Sequence, residues 1–417
     1  MMKKPIALFL TYHILLLSLV GCRSPELHND ELRATIEKHV TYLASDELQG
    51  RDFGTEGELK AALYVAAYFK EIGLEPKGTD EYFQEFNVTP SNNPHKKAKI
   101  GESSDSSLMG RNVIGYIDNE AEKTVVIGAH FDHLGSGSIG SLYRGEEAIH
   151  NGADDNASGT AAMLQLAQLM KDIPANNNYL FIAFTGEEHG LWGSNYFTKN
   201  PTIELSSINY MINYDMVGRL NEKKTIAVHG TGTSPTWTES LDIINTDSLN
   251  LVRKDSGVGP SDHTSFYLND IPVLHFFTGQ HDDYHKPTDD ADKINYDGIV
   301  EIVRYSERLL KELDSKGTLV FTKTKDESKN TPRFKVGLGV VPDYLFDGEG
   351  MRIDGISEDK PAQIAGLQKG DIVIKLGDST IVDMMSYMRA LSVFEKGDTT
   401  KAVIKRGEDE LEKVIVF

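Results

Sequence analysis

The sequence predicts an α/β protein: a large domain on a mostly parallel sheet with helices on both faces, then a small β-rich domain. Three observations carry this. From residue 110 onward, short β-branched runs alternate with helical patterns, the signature of parallel sheets whose helices cover both faces. A polar, charged stretch with few large apolar residues, TKTKDESKNTPR, interrupts the chain near residues 316–333 and reads as a linker. The last segment, 334–417, changes character to short strands with two brief helical patterns.

Taken in order, the first 21 residues are set apart from the fold. Lys3 and Lys4 precede the apolar run IALFLTYHILLLSLV, which is too short and too closely followed by polar sequence for a membrane-spanning helix. This run ends at Leu19-Val20-Gly21-Cys22 and resembles a bacterial lipobox, which implies lipidation at Cys22, export and membrane anchoring at a periplasmic face or cell surface. Cys22 is the only cysteine, so a disulfide within the chain is excluded. Residues 22–30 read as a polar tether and 31–315 as the large domain. Leu32, Ile36, His39, Val40 and Leu43 share one helical face. SDELQGRDFGTEG reads as loop. ELKAALYVAAYFKEIG reads as a second amphipathic helix, with Leu59, Leu63, Ala66, Ala67 and Phe69 assigned to it and Gly73 closing it. NVIGYI, TVVIGAH, NYLFIAFTG, SINYMINYDMV, TIAVHG and IPVLHFF follow as strands. SGTAAMLQLAQLMKDI is a helix, with Ser158 as its expected N-cap, and DGIVEIVRYSERLLKEL is a late helix.

Of 417 residues, 39% are hydrophobic, which allows a large core, and the formal net charge of −20 argues against nucleic acid as a partner. Chemistry concentrates at strand ends. His130, Glu187, Glu188 and Asp215 each follow a hydrophobic run, where open α/β sheets collect catalytic groups. NGADDNASG adds Asp154 and Asp155, and DDYHKPTD adds His285. Carboxylates and imidazoles converging from several strands suit a pair of divalent ions. Adjacent side chains in extended structure point apart, so Glu187 and Glu188 can divide metal binding from proton transfer. Asp132, two residues after His130, is placed to orient a ligating imidazole.

These segments, in this order, resemble the M28 family of zinc aminopeptidases, the co-catalytic dizinc exopeptidases, from LASDELQGRDFGTEG to the late helix. The resemblance implies two zinc ions per chain, with His130 and Asp215 on one, Glu188 and His285 on the other, and Asp155 bridging. It implies Glu187 as general base and Asp132 as the support of His130. It favours Asp155 over Asp154, and His285 over His281 through Tyr284-His285-Lys286-Pro287-Thr288-Asp289. His133, His150 and His189 also lie in or near the motifs, and His133 and His189 are expected as loop residues or as supports behind the ligands. The activity implied is removal of N-terminal residues from peptides. A related amide-processing enzyme of the glutaminyl-cyclase kind and a non-enzymatic peptide-binding lipoprotein are the alternatives. Ser261, Asp262 and His263 either border the substrate pocket or cap the next helix. The sequons at Asn87 and Asn156 read as chance matches.

The last segment resembles a PDZ domain through Val336-Gly337-Leu338-Gly339 and PAQIAGLQKGDIVIKLGD. This implies that the backbone around Gly337, Leu338 and Gly339 holds a peptide or protein C-terminus while an added strand extends the sheet.

Overall fold

The computed structural model describes residues 28–90, 98–102, 104, 106–137, 140–325, 335–343, 345–346, 348–357 and 359–417. The lipobox with Cys22, most of the tether and the linker from residue 326 lie outside the described residues.

The chain opens with α1 (Asn29–Leu43) and α2 (Glu56–Glu71), followed by β1 (Glu75–Pro76), β2 (Phe83–Thr89), β3 (Lys99–Ile100), β4 (Leu108–Ile117) and β5 (Lys123–His130). Next come α3 (Gly159–Met170), β6 (Asn177–Phe184), α4 (Trp192–Lys199), β7 (Ile208–Tyr214), β8 (Thr225–His229), α5 (Thr236–Ile243) and β9 (Asn250–Lys254). The first unit closes with α6 (His263–Tyr267), β10 (Val273–Phe277) and α7 (Tyr296–Asp314).

The sheet order is β3-β2-β4-β6-β5-β7-β10-β8-β9, with β1 beside β4. The expectation of a mostly parallel sheet needs correcting, because the sheet is mixed. The strands β6, β5, β7 and β10 run parallel to their neighbours, as do β8 and β9. On one side β4 meets β6 antiparallel, and on the other β8 meets β10 antiparallel. The parallel centre is fully buried and reads as continuous apolar runs. The flanking strands β1, β2, β3 and β9 are short or half exposed and carry no such run. Alternation along β5 shows how both faces are covered: Val125, Ile127 and Ala129 join the core under α1, α2, α3 and α7, and Val126 joins the core on the opposite face with Phe197 and Phe266.

The face of α2 also differs from expectation. Ala61, Ala62, Val65, Ala66 and Phe69 are buried, whereas Leu59 and Leu63 are 37% and 50% exposed. Four small side chains let α2 lie close to the sheet, and that proximity outweighs the larger transfer gain of the leucines. The loop expected before α2 contains a short 3₁₀ segment, Asp46–Arg51, whose last side chain is completely buried. Ser158 does not cap α3, because its hydroxyl donates to Asp154 O and Oδ1 instead. The stretch expected as linker starts as packed structure: Leu319 is buried, its N–H donates to Asn209 Oδ1 (2.8 Å), and Thr324 N–H donates to Tyr267 Oη (3.0 Å).

The second unit contains β11 (Val340–Pro342), β12 (Met351–Ile356), α8 (Pro361–Ile364), β13 (Ile372–Leu376), β14 (Ser379–Thr380), α9 (Met384–Leu391), β15 (Thr399–Arg406) and β16 (Asp409–Val416). Its antiparallel sheet runs β11-β12-β13-β15-β16 around a separate core of Leu338, Met351, Ile353, Val373, Leu376, Tyr387, Ile404 and Ile415. The two units touch near the mouth of the first. Leu345, between β11 and β12, packs with Tyr284 against Met216, Ala227 and Phe277, and Lys369 pairs with Asp282 (3.5 Å).

Candidate metal centre

The carboxyl ends of the central parallel strands converge on one point. His130 is the last residue of β5, Asp215 follows β7, Glu187 and Glu188 follow β6, and His285 lies on the loop after β10. His130 Nε2 lies 3.4 Å from Asp155 Oδ1 and 3.3 Å from Asp215 Oδ1. His285 Nε2 lies 3.2 Å from both Asp155 Oδ2 and Glu188 Oε2. Asp155 therefore presents one oxygen to each side. Donor atoms of His130, Asp155 and Asp215 all fall within 4.8 Å of one another, and so do those of His133, Asp155 and Glu188.

His133, expected in a loop or as a support behind the ligands, lies against one of the two donor sets. It is fully buried, with Nδ1 2.8 Å from Glu188 Oε1 and 3.9 Å from Asp155 Oδ2. The other rivals are engaged elsewhere. His281 Nε2 pairs with Asp154 Oδ2 (3.1 Å), and His189 Nε2 with Asp52 Oδ1 (2.7 Å). His150 Nε2 lies 2.8 Å from Ser141 Oγ. Asp154 turns away from the centre to accept the N–H of Gly218 (2.6 Å) and the Ser158 hydroxyl (3.0 Å).

A further layer of side chains fixes these loops. Asp132 Oδ1 lies 3.6 Å from His130 Nδ1 and also accepts the Glu187 N–H (3.1 Å), while its Oδ2 accepts the Glu188 N–H (3.3 Å). One buried carboxylate thus aligns the end of β5 with both glutamates. Asp289 Oδ2 accepts the N–H of Asp154 (2.9 Å) and of Asp155 (3.1 Å). Asn156, the second sequon, is buried; it donates to Tyr214 O (2.9 Å) and accepts the Met216 N–H (3.1 Å), which leaves no room for a glycan. Arg51 clamps the loops from below. It donates to Phe131 O (2.7 Å), Asn151 O (2.6 Å), Gly152 O (3.1 Å) and Leu43 O. Neither Asp289 nor Arg51 was assigned a role from sequence. A lone Arg among glycines in QGRDFG is the available signal for the second. Asp262 stands at the start of α6 without a side-chain cap bond, so capping does not explain the Ser261-Asp262-His263 run.

Electrostatics show what the cluster can hold. Burial pushes the Glu187 carboxyl well above the usual range, and Asp215, Glu188 and Asp262 add to that push. Burial disfavours the imidazolium of His285, yet Glu188 and Asp155 raise it to about 11. Four carboxylates held this close, with imidazoles drawn toward protonation, call for positive charge at their centre. Carboxylate oxygens and imidazole nitrogens in two sets sharing one carboxylate fit two divalent cations of the zinc type. One set would comprise His130, Asp155 and Asp215; the other Asp155 and Glu188 with His285, His133 lying alongside.

With this geometry established, comparison with known proteins points the same way. Residues 112–309 match Peptidase family M28. Aminopeptidase YwaD of Bacillus subtilis is 31% identical over 193 residues, covering 43% of this chain and 39% of that protein. Aminopeptidase Y of Saccharomyces cerevisiae is 27% identical over 200 residues, covering 43% and 34%. The match thus spans between about a third and two fifths of these relatives' length. Among solved structures, a Zn-dependent exopeptidase from Parabacteroides distasonis shares the fold with a TM-score of 0.55 at 19% identity, covering 69% of this chain and 98% of that one. Within the M28 match lie all the residues converging at the centre, from His130 to His285.

Proposed function

We propose that this protein is a zinc-dependent aminopeptidase that removes N-terminal residues from peptides. The observation that carries the reading is the pair of donor sets sharing Asp155, with the Glu187 carboxylate beside them. Zinc held by His130, Asp155, Asp215, Glu188 and His285 would supply an acidified water and polarisation of the scissile carbonyl. The chain supplies the rest. Glu187, its Oε2 4.0 Å from His130 Nε2, takes a proton from the attacking water and returns it to the leaving amine. Asp132 fixes the backbone from which Glu187 projects. The pocket that holds these groups, of about 120 Å³, is also lined by Met216, Phe277 and Tyr284, and Leu345 of the second unit packs on that side.

The test is hydrolysis of a peptide library by the zinc-loaded protein, read by mass spectrometry, with metal content measured in parallel. The expected result is loss of single N-terminal residues, two zinc ions per chain, abolition by chelator and recovery with zinc. Internal cleavage, or activity indifferent to chelator, would overturn the reading.

For the second unit we infer a PDZ-like module that holds peptide or protein C-termini. Support comes from Leu338, buried in its core, from the φ of +75° at Gly339, and from β11 lying at the edge of the sheet where an added strand could pair. Gly337 has open space around its α-carbon. A Gly337→Asp variant is therefore expected to fold normally while weakening binding of peptides with a free C-terminal carboxylate at least tenfold in a fluorescence titration. Equal affinity would argue against this loop as the carboxylate site. Export and lipid attachment at Cys22 complete the proposal and rest on the lipobox pattern alone.

A further inference from the structure

Beside Phe277, one wall of the catalytic pocket is made of histidine. His229, the last residue of β8, and His275, in the middle of β10, face each other across the antiparallel pair and both line the pocket. Their rings meet edge to face at 5.2 Å. Behind His275 lies His263, the first residue of α6, stacked at 4.6 Å with the planes 23° apart. Three elements far apart in sequence thus bring three imidazoles to one side of one recess.

Packing does not account for them. His275 is 3% exposed and His263 fully buried, and neither nitrogen of either ring has a hydrogen-bond partner among the described residues. Buried polar atoms are rarely left unmet, because each forfeits its hydration without return. An aliphatic residue at position 275 would fill the same space without that loss. Burial, reinforced by the neighbouring rings, holds His275 and His263 neutral, and burial with Lys254 lowers His229 to about 4, so the His229 ring offers the pocket one N–H donor and one acceptor nitrogen.

We infer that this pocket takes an N-terminal residue with a short, oxygen-bearing side chain, a carboxamide or a carboxylate, in preference to an aliphatic side chain of the same shape. The side chain enters beside Met216 and Phe277, and its oxygen meets the ring of His229, the least buried of the three, against which His275 packs edge to face. His263 positions the His275 ring from behind. The inference rests on the aminopeptidase reading and names its substrate class.

Asn, Asp and Leu have nearly the same shape and make a direct test. Zinc-loaded protein is assayed with the three aminoacyl arylamides, and binding of the three free amino acids is followed by calorimetry. A site built to hydrogen-bond a side chain strongly rejects the analogue that lacks the group. The expected result is kcat/KM for the Asn or Asp substrate at least about tenfold above Leu, and which of the two leads separates the amide from the acid. A His229→Phe variant should bring that ratio close to one; should it fail to fold, the comparison of wild-type substrates and ligands still decides. Leu turned over as well as both others would overturn the inference while leaving the aminopeptidase reading intact. No turnover of any substrate, with Asn or Asp still bound more tightly than Leu, would overturn the aminopeptidase reading and sustain the pocket assignment. No turnover and equal binding would overturn both.

Discussion

A Glu187→Gln variant should keep two metal ions per chain and lose about a thousandfold in kcat, the middle of the range for a positioned general base. The substitution is nearly isosteric and leaves the backbone N–H that Asp132 holds untouched, so the loop should not move. What changes is one property, the ability to accept a proton. Glu187 is well placed to accept one, being buried beside His130 yet standing outside both sets of closely spaced donor atoms. Burial also raises its proton affinity, which a base needs if it is to hold the proton until the amine departs. Metal analysis alongside kinetics separates the outcomes. Wild-type turnover would remove Glu187 from the reaction. Loss of metal together with activity would make Glu187 a ligand.

The centre was legible in the sequence because parallel strands are buried on both faces. Their apolar runs make the strands visible, and the first polar residues after each run mark where the strands end. That is how His130, Glu187, Glu188 and Asp215 could be picked out together. Ligands on irregular loops were harder to place. Asp154 and Asp155 are adjacent and chemically identical; the family resemblance favoured Asp155, and the fold supplies the reason, with Asp154 turned toward Gly218 and Asp155 toward His130 and His285. His133 illustrates the converse: its proximity to Glu188 depends on how the chain turns after β5, which no periodicity encodes. Helix faces failed where small residues prevailed. In α2 the leucines are the visible hydrophobes, but alanines pack closer and take the buried side. The histidine wall was illegible for a further reason, since His229, His263 and His275 come from three separate elements; His263 stood out only with Ser261 and Asp262, and His229 and His275 each read alone as ordinary buried residues. The contribution of Leu345 to the pocket wall depends on docking of the second unit, which has no local signature at all.

Arg51 shows how far a residue distant from the chemistry can control it. Its guanidinium has no contact with solvent and donates to four backbone carbonyls on three segments: Leu43 at the end of α1, Phe131 between His130 and Asp132, and Asn151 and Gly152 just before Asp154. Its charge also lies near Asp132, Asp155, Asp289 and Glu188, each of which stabilises the cationic form against the burial that opposes it. An Arg51→Met variant keeps most of the volume and removes every donor. Four buried carbonyls then lose their partner at once, and the acidic cluster loses a fixed counter-charge. Breaking a buried charged network of this kind costs roughly 3–5 kcal/mol, which should lower Tm by about 10 °C for a domain of this size. Because Phe131, Asn151 and Gly152 belong to the loops that carry His130 and Asp155, zinc affinity should also fall about 10- to 100-fold, as it does when supports of a ligand set are removed. An Arg51→Lys variant should resemble Met more than wild type, since a single ammonium cannot reach carbonyls spread across the planar fork. Calorimetry and competitive zinc titration measure the two effects separately. If both variants matched wild type in Tm and in zinc affinity, Arg51 would not be the clamp that holds the metal loops together.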